Sequence, residues 1–258
     1  MEFCVIASGS GGNMTYIRTE TTKILVDAGI SLPEAKRRTY NHDLDLDDID
    51  AVLITHEHGD HVRFLPTVLS RTNATLYINR LSFDALSEAV KIRLIDYPIK
   101  FIEENKKYRI RDLDFLTLKL SHDSVNNFGF VFIASEKRLA YITDTGFFPL
   151  HYLDLLKQVD ALVIEANHDV QMLMESERSW YLKERIFSPS GHMSNQICLQ
   201  VLEAVLNGRQ NLIVLAHISS ECNHPDIIES DIIQVIKKTY QGEIVTASQF
   251  EASPLYKI

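Results

Sequence analysis

The sequence predicts a single α/β domain in which helices cover β-sheets, and three observations lead to this prediction. Short apolar runs of strand length alternate with amphipathic stretches of helical spacing in both halves of the chain. The 258 residues, 45% of them hydrophobic, are enough to bury one large core. No low-complexity tract, short repeat or long Pro/Gly/Ser linker divides the chain. We therefore expect one domain over 1–258.

Six apolar runs are predicted to be strands, and each leads into a polar residue. They are 24–26 before Asp27, 52–54 before His56, 116–120 before His122, 139–143 before Asp144, 162–164 before Glu165 and 212–216 before His217. Taken singly, each polar residue is most simply a turn residue at a strand end. In layered α/β folds, however, the loops beyond one end of the strands form a common ligand-binding crevice. The repetition therefore predicts a shared site.

Helices are predicted between these strands. Helical spacing indicates helices over roughly 150–159, 169–187, 194–207 and 225–241. Ser194 is the predicted N-cap of the third, and Gly208 is placed to end it.

The densest chemistry lies in the run 55–61, Thr-His-Glu-His-Gly-Asp-His. Borderline metals such as zinc bind imidazole nitrogen and carboxylate oxygen at roughly 2 Å, so His56 and His58 can share one ion. Asp60 and His61 can reach a second ion. A polar surface turn is the alternative, but an apolar strand precedes the run and an amphipathic stretch follows it. The run predicts a binuclear metal site.

Composition limits the function classes. The net charge of -9 argues against a generally cationic nucleic-acid binder, although two divalent ions would add positive charge locally, so a nuclease is not excluded. No apolar run approaches the roughly 20 residues of a membrane span, and no signal peptide is recognisable, so we expect a soluble cytoplasmic protein. The cysteines Cys4, Cys198 and Cys222 are widely spaced, which argues against disulfides or a thiolate zinc site.

These residues resemble the metallo-β-lactamase superfamily, whose binuclear hydrolases carry the signature H-x-H-x-D-H found here in 56–61. The resemblance implies an α/β fold arranged as an αββα four-layer sandwich. It also implies two ligand groups joined by one carboxylate: His56, His58 and His122 on one ion, Asp60, His61 and His217 on the other, and Asp144 bridging them.

Within the superfamily the chain resembles the YycJ/WalJ group of bacterial exonucleases over nearly its full length. Four stretches carry this resemblance: 7–13, 164–169, 181–186 and 191–195. Gly11 stands where the group would have serine, and the C-terminal end is short. The resemblance implies a metal-dependent phosphodiesterase that acts on DNA as a 5′-3′ exonuclease, with two divalent ions, zinc or manganese and alternatively iron.

The expected chemistry assigns roles to further residues. Two ions about 3.5–4 Å apart lower the pKa of a bridging water and hold phosphodiester oxygens, and Asp60 and Asp144 can orient the resulting hydroxide. In related nucleases a histidine equivalent to His192 faces the phosphate, so His192 is the candidate general acid. As strand-end carboxylates, Asp27 and Glu165 are candidates to orient metal-binding imidazoles. Each of these last three residues could instead cap a local turn or helix.

Candidate substrate contacts are less specific. The glycine-rich run 8–13 lacks the Gly-Lys-Ser/Thr ending of a P-loop and is read as a tight turn, with Asn13 bracing the site. Basic runs are usually solvated faces. The possible substrate contacts are Asn13, His168, Tyr181, Lys183 and Arg185, with the basic run 36–38 as a further candidate for DNA.

The sequence leaves alternative functions open because one fold supports many chemistries. A hydrolase of thioesters, lactones or cyclic phosphates would use the same ions. A ribonuclease Z-like RNA-processing enzyme is a second alternative, although no inserted substrate-clamping arm is recognisable. A non-enzymatic scaffold is a third, but no ligand position is missing. Oligomeric state is not predicted.

Overall fold

The computed structural model describes all 258 residues and contains two seven-stranded sheets. The first sheet contains β1 (Glu2–Ala7), β2 (Met14–Arg18), β3 (Lys23–Val26), β4 (Ala51–Leu53), β5 (Thr75–Asn79) and β6 (Ile99–Ile102). The second contains β7 (Lys107–Ile110), β8 (Leu113–Leu120), β9 (Asn127–Ala134), β10 (Lys137–Ile142), β11 (Ala161–Glu165), β12 (Leu212–Ala216) and β13 (Glu243–Thr246). The last strand, β14 (Tyr256–Lys257), joins the first sheet beside β1.

Helices flank the two sheets. Those of the first half are α1 (Leu32–Arg38), α2 (Gly59–Val62), α3 (Leu65–Thr72), α4 (Arg80–Ala85) and α5 (Glu88–Leu94). Those of the second half are α6 (Leu153–Leu156), α7 (Val170–Glu175), α8 (Trp180–Phe187), α9 (Asn195–Val205), α10 (Pro225–Ile228) and α11 (Gln234–Ile236). None of the helices has the length and apolarity that crossing a membrane requires.

Three apolar cores hold four layers together. The central core lies between the sheets and combines residues of both, such as Phe3 and Ile24 with Phe115 and Phe130. A second core joins the first sheet to its helices, and a third joins the second sheet to α6, α9 and the helical segment 225–236. Burying one face of each sheet against its partner and the other against helices gives the predicted αββα sandwich.

The strand directions bring one end of both sheets to the site. Strands β3 to β6 are parallel, as are β10 to β13, and β8 and β10 both run antiparallel to β9. The carboxyl ends of β8, β10, β11 and β12 therefore meet at one edge. All six predicted strands are present, because the runs overlap β3, β4, β8, β10, β11 and β12, although Ile54 and Thr143 lie just beyond the ends of β4 and β10.

Each predicted helical segment contains helix, but the bounds of the helices differ from the prediction. The helix predicted at 194–207 is α9, and Ser194 Oγ accepts a hydrogen bond from the Ile197 amide at 3.3 Å. Gly208 has a φ of +85° and lies beyond the actual end at Val205, where the backbone already becomes extended at Leu206.

The single helix predicted over 169–187 is wrong, since the structure forms α7 and α8 there. The backbone becomes extended at Ser176, and Ser179 starts a new helix by accepting a hydrogen bond from the Leu182 amide at 3.4 Å. Serine side chains compete with the helix for backbone groups, so two of them so close together favour a break.

The other two predicted helices are shorter or less regular. The 150–159 segment is a 3₁₀ turn, Leu150–Tyr152, followed by α6 alone. The 225–241 segment is helical only to Ile236 and contains a π-helical turn over Glu229–Ile233.

Candidate metal centre

The loop after β4 carries four of the candidate ligands, and its path is fixed by close backbone packing. A Cβ atom on Gly29 would lie 1.7 Å from the Asp60 carbonyl oxygen, so only glycine fits there. The Asn13 amide donates to that same carbonyl at 2.8 Å, and the Ala28 amide donates to the His61 carbonyl at 2.7 Å. The backbone of α2, which carries Asp60 and His61, is thereby held against the turn after β3.

His56, His58 and His122 form one group of converging ring nitrogens. His122 Nε2 lies 3.3 Å from His58 Nδ1, and one ring nitrogen from each residue lies within 4.8 Å of the other two. His56 is fully buried, and its Nε2 atom makes no hydrogen bond. The loop after β4 supplies two of these rings and the end of β8 supplies the third.

Asp60, His61 and His217 form a second group, with Asp144 beside it. His61 Nε2 lies 3.3 Å from Asp60 Oδ2 and 3.4 Å from Asp144 Oδ2. His217 Nε2 lies 3.7 Å from Asp60 Oδ2 and 3.4 Å from Asp144 Oδ1. Asp144 also forms a cluster with His56 and His61, which places its carboxylate between the two groups.

The atoms of both groups fit a divalent cation. Two ligand atoms bound tetrahedrally at 2.0–2.1 Å lie about 3.4 Å apart, close to the spacings found here. Three buried atoms that face the site, His56 Nε2, His217 Nε2 and Asp144 Oδ2, have no hydrogen-bond partner in the protein. Buried polar atoms are normally satisfied, so these three indicate a missing positive partner.

The opposite ring nitrogens are held by the protein. His61 Nδ1 donates to Asp27 Oδ2 at 2.8 Å, and His122 Nδ1 donates to the Gly191 carbonyl at 3.0 Å. His217 Nδ1 lies 3.2 Å from Glu165 Oε1. These contacts orient each ring and leave Nε2 facing the site, as is usual for metal-binding histidines.

The electrostatic environment differs across the site. Burial and the neighbouring imidazoles lower the pKa of His56 well below its usual range. Burial also disfavours a charged His61, but the carboxylates of Asp27, Asp144 and Asp60 outweigh this and raise its pKa well above normal. The carboxylate side of the site therefore favours positive charge, which is what a bound cation supplies.

His192 lies at the opening of the site. Its Nδ1 donates to Glu165 Oε1 at 2.7 Å and lies 3.7 Å from Asp144 Oδ1. Its ring stacks on the ring of His217 and, unlike those of His56 and His61, remains partly exposed. It lines a cavity of about 130 Å³ whose other lining residues include Ser10, Arg178, Arg185 and Ser219.

The candidate substrate contacts are placed very differently from one another. Asn13 Nδ2 lies 3.2 Å from Asp60 Oδ2 and 3.1 Å from His61 Nε2, so this residue braces the site. His168 is only 1% exposed and neither ring nitrogen is hydrogen bonded. His168 does not line the cavity, so its burial argues against the predicted substrate contact, which stays a prediction.

The three candidate contact residues of α8 also differ in exposure. Tyr181 is 77% exposed, and Arg185 is half exposed, paired with Asp123, at the cavity wall. Lys183 is only 9% exposed, and its Nζ donates to the Met174 carbonyl at 2.6 Å near the end of α7. This use of the ammonium group inside the protein argues against the predicted phosphate contact of Lys183, which stays a prediction.

The basic run 36–38 is also occupied by intramolecular contacts. Lys36 pairs with Asp47 at 2.5 Å, and Arg37 pairs with Glu34 at 2.7 Å. Arg38 donates to the Gln249 carbonyl at 2.7 Å. The structure gives no support to this run as a DNA contact.

Several contributing residues were not singled out from the sequence. Arg178 lines the cavity but belongs to no motif, so tertiary structure alone places it there. Thr55 Oγ1 lies 3.0 Å from Asp27 Oδ1 and 3.0 Å from His56 Nδ1. Its position between the apolar strand and His56 was the available signal. Asn167 lies in the stretch 164–169 that carries the family resemblance, whereas Asn127, the first residue of β9, gave no signal.

Comparisons with known proteins give consistent results. Residues 22–218 match the family model described as the beta-lactamase superfamily domain. The chain is 31% identical over 254 residues to exodeoxyribonuclease WalJ of Streptococcus pneumoniae, which covers 98% of this chain and 94% of that protein. It is 31% identical over 238 residues to exodeoxyribonuclease YycJ of Bacillus anthracis, which covers 92% of this chain and 90% of that protein.

Solved structures show the same fold at lower identity. Zn²⁺-bound PqqB from Methylobacterium extorquens superposes with a TM-score of 0.72 at 15% identity, covering 99% of this chain and 100% of that one. The metallo-beta-lactamase fold protein YhfI from Bacillus subtilis superposes with a TM-score of 0.71 at 15% identity, covering 98% of each chain. At this identity the likeness concerns the fold alone.

Proposed function

The chain belongs to the metallo-β-lactamase superfamily and is WalJ/YycJ-like, and we propose that it is a metal-dependent DNA exonuclease acting from the 5′ end. The metal-dependent part rests on the convergence of seven side chains that can bind metal. Three of them present a buried atom without a hydrogen-bond partner. The exonuclease part is supported by the near-full-length similarity to two proteins of that name.

Two divalent ions would be held by separate groups that share one carboxylate. The proposed ligands are His56, His58 and His122 for one ion, Asp60, His61 and His217 for the other, and Asp144 for both. Imidazole and carboxylate ligands suit zinc and manganese, and iron is also compatible. Bound there, two ions would supply a more acidic water and positive charge for phosphate oxygens.

The protein's own groups would position water and move a proton. Asp60 lies in one ligand group and Asp144 lies between the two, and their oxygens could orient an attacking water. His192 is held through Nδ1 by Glu165, and its Nε2 makes no hydrogen bond within the protein. We assign His192 Nε2 as the proton donor to the leaving oxygen of the scissile phosphate.

The cavity beside His192 suits a phosphate group of a nucleic-acid chain. Arg178 and Arg185 supply guanidinium groups to its wall, and Ser10 and Ser219 supply hydroxyl groups. Guanidinium groups bind phosphate through paired N–H donors. The exposed ring of Tyr181 on the same helix as Arg185 is available to stack on a base.

We also propose that the protein works in the cytoplasm. Its three cysteines are all free and buried, as expected where thiols stay reduced. In bacteria such as Streptococcus pneumoniae and Bacillus anthracis, the sources of the two relatives, DNA also lies in the cytoplasm.

Cleavage of end-labelled DNA tests this function. Single- and double-stranded DNA carrying a 5′ label is incubated with wild-type protein and manganese, zinc or iron, beside His58→Ala and His224→Ala. His224 is an exposed histidine outside the site and serves as the matched control. We expect labelled mononucleotides to appear first with wild type and His224→Ala, and no cleavage with His58→Ala.

Two results would overturn the proposal. Hydrolysis of a small thioester, lactone or cyclic phosphate without any DNA cleavage would assign the site to small molecules. Release of the 5′ label only at the end of digestion would reverse the polarity.

A further inference from the structure

Two of the proposed ligands have an unusual backbone conformation. Asp144 has a φ of +57° and His217 a φ of +52°, each directly after or near the end of a strand. Residues with a Cβ atom occupy this left-handed region rarely, because the side chain crowds the backbone. Such conformations persist only where the surroundings impose them.

A buried asparagine contacts the backbone of Asp144. Asn127 Nδ2 lies 2.5 Å from the Asp144 carbonyl oxygen and 3.4 Å from the Thr143 carbonyl oxygen. Since both neighbours are acceptors, the amide nitrogen must be the atom that faces them. Asn127 is 1% exposed, so water does not compete for this contact.

A second buried asparagine makes the same contact with His217. Asn167 Nδ2 donates to the His217 carbonyl oxygen at 2.7 Å. The His217 amide donates to Ser8 Oγ at 2.8 Å, so the peptide groups on both sides of the residue are held. The Asn167 amide in turn donates to the Met193 carbonyl at 2.8 Å, which ties it to the residue after His192.

We infer that Asn127 and Asn167 are positioning residues that hold the left-handed backbone of Asp144 and His217, so that Asp144 Oδ2 and His217 Nε2 face the ions. The inference rests on the proposed metal site. The two asparagines are expected to affect different numbers of ions. His217 belongs to one ligand group, whereas the Asp144 carboxylate lies between both. Loss of the Asn167 contact should weaken one ion, and loss of the Asn127 contact should weaken both.

The competing explanation is that each amide merely satisfies a buried carbonyl and adds to stability. Asn79 provides a matched control for this explanation. It is also buried, and its Nδ2 donates to the Ile102 carbonyl at 3.1 Å in the first sheet rather than to the backbone of a proposed ligand. Its Oδ1 accepts from the Leu81 amide at 2.8 Å, a contact that aspartate would keep.

The test measures metal affinity directly and needs no DNA. Asn127→Asp, Asn167→Asp and Asn79→Asp are prepared as full-length proteins, stripped with a chelator, checked by circular dichroism and titrated with zinc by calorimetry. Aspartate preserves shape but, when ionised, cannot donate to a carbonyl. Asn127→Ala and Asn167→Ala repeat the test without the added charge and remain usable if an aspartate variant does not fold.

The expected pattern follows from the geometry. Outer contacts of this kind change metal affinity by about 10–100-fold, so Asn167→Asp should weaken one of two ions by that factor and leave the other unchanged. Asn127→Asp should weaken both ions. Asn79→Asp should lower the melting temperature of the stripped protein while its zinc affinity stays within twofold of wild type.

Each other outcome counts against the inference. Folded Asn127 and Asn167 variants with wild-type zinc affinity would overturn it and leave the proposed function standing. An equal loss of affinity in Asn79→Asp would also overturn it, by showing a general effect of stability. A wild-type protein that takes up no zinc, manganese or iron would overturn the proposed function and this inference together.

Discussion

The two halves of the proposed metal centre are built in different ways. The first sheet delivers four of the seven candidate ligands through one loop, 55–61, whose path is set by its contacts with Gly29 and Asn13. The second sheet delivers the other three, His122, Asp144 and His217, each near the end of a different strand. We call the ligands of 55–61 the local half of the site and His122, Asp144 and His217 its dispersed half.

Buried polar side chains support both halves, but they contact different parts of the ligands. In the local half, Asp27 and Asn13 contact the ring of His61, and Asn13 also contacts the Asp60 carboxylate. In the dispersed half, Glu165 contacts the ring of His217, whereas Asn127 and Asn167 hold carbonyl oxygens of the left-handed residues. The comparison teaches that ligands from separate strands need side chains that fix their backbone as well as side chains that orient their ligand atoms.

Asp144→Ala should have the largest effect, because Asp144 is the one side chain that lies between both groups. We expect DNA cleavage to fall by at least about 10³-fold, since neither ion would keep its full set of ligands. Metal analysis of the purified protein and the rate of mononucleotide release provide the two measurements. Asp154→Ala, at an exposed aspartate of α6, is the control and should behave as wild type. Near-normal cleavage by Asp144→Ala would show that the two halves act independently.

His192→Ala should separate chemistry from metal binding within the dispersed half. We expect kcat to fall by about 10²-fold, because a general acid is lost, while two ions remain bound. Rate measurements on a DNA substrate are paired with metal analysis, and His224→Ala again serves as the control. If the variant instead loses an ion, His192 is a ligand and the proton donor must be sought elsewhere.

The smallest effects concern α8, where Arg185 lines the cavity while the ammonium group of Lys183 is held inside the protein. Arg185→Ala should weaken DNA binding and reduce the slope of log affinity against log salt by about 1. Lys183→Ala should leave the slope unchanged and lower the melting temperature by about 2–4 °C through loss of a buried hydrogen bond. Fluorescence anisotropy at several salt concentrations measures the first effect and thermal unfolding the second. The reverse pattern would show that Lys183 leaves the Met174 carbonyl to bind DNA.

The sequence predicted the layered fold well because its signals are local. Apolar runs ending in polar residues identified six strands, and Ser194 identified the start of α9. The break at 176–179 was missed although residues 175–179 are all polar, and Ser176 and Ser179 end one helix and begin the next.

Site prediction succeeded or failed for similar reasons. The seven candidate ligands came from a motif and a family resemblance, and their metal-binding role stays a prediction. The burial of Lys183 against Met174 and of His168 behind the cavity depends on tertiary packing that no local pattern reports. Asn127 and Asn167 act on the backbone of Asp144 and His217, which lie 17 and 50 residues away in sequence, so no local pattern assigns them this role.

The most direct test of the account is anomalous X-ray scattering from crystals of the protein grown with manganese or zinc. We predict two peaks about 3.5–4 Å apart, one beside His56 and His122 and the other beside Asp60 and His217, with Asp144 between them. A single peak, or peaks away from these residues, would contradict the claim that the two halves of the molecule share a binuclear site.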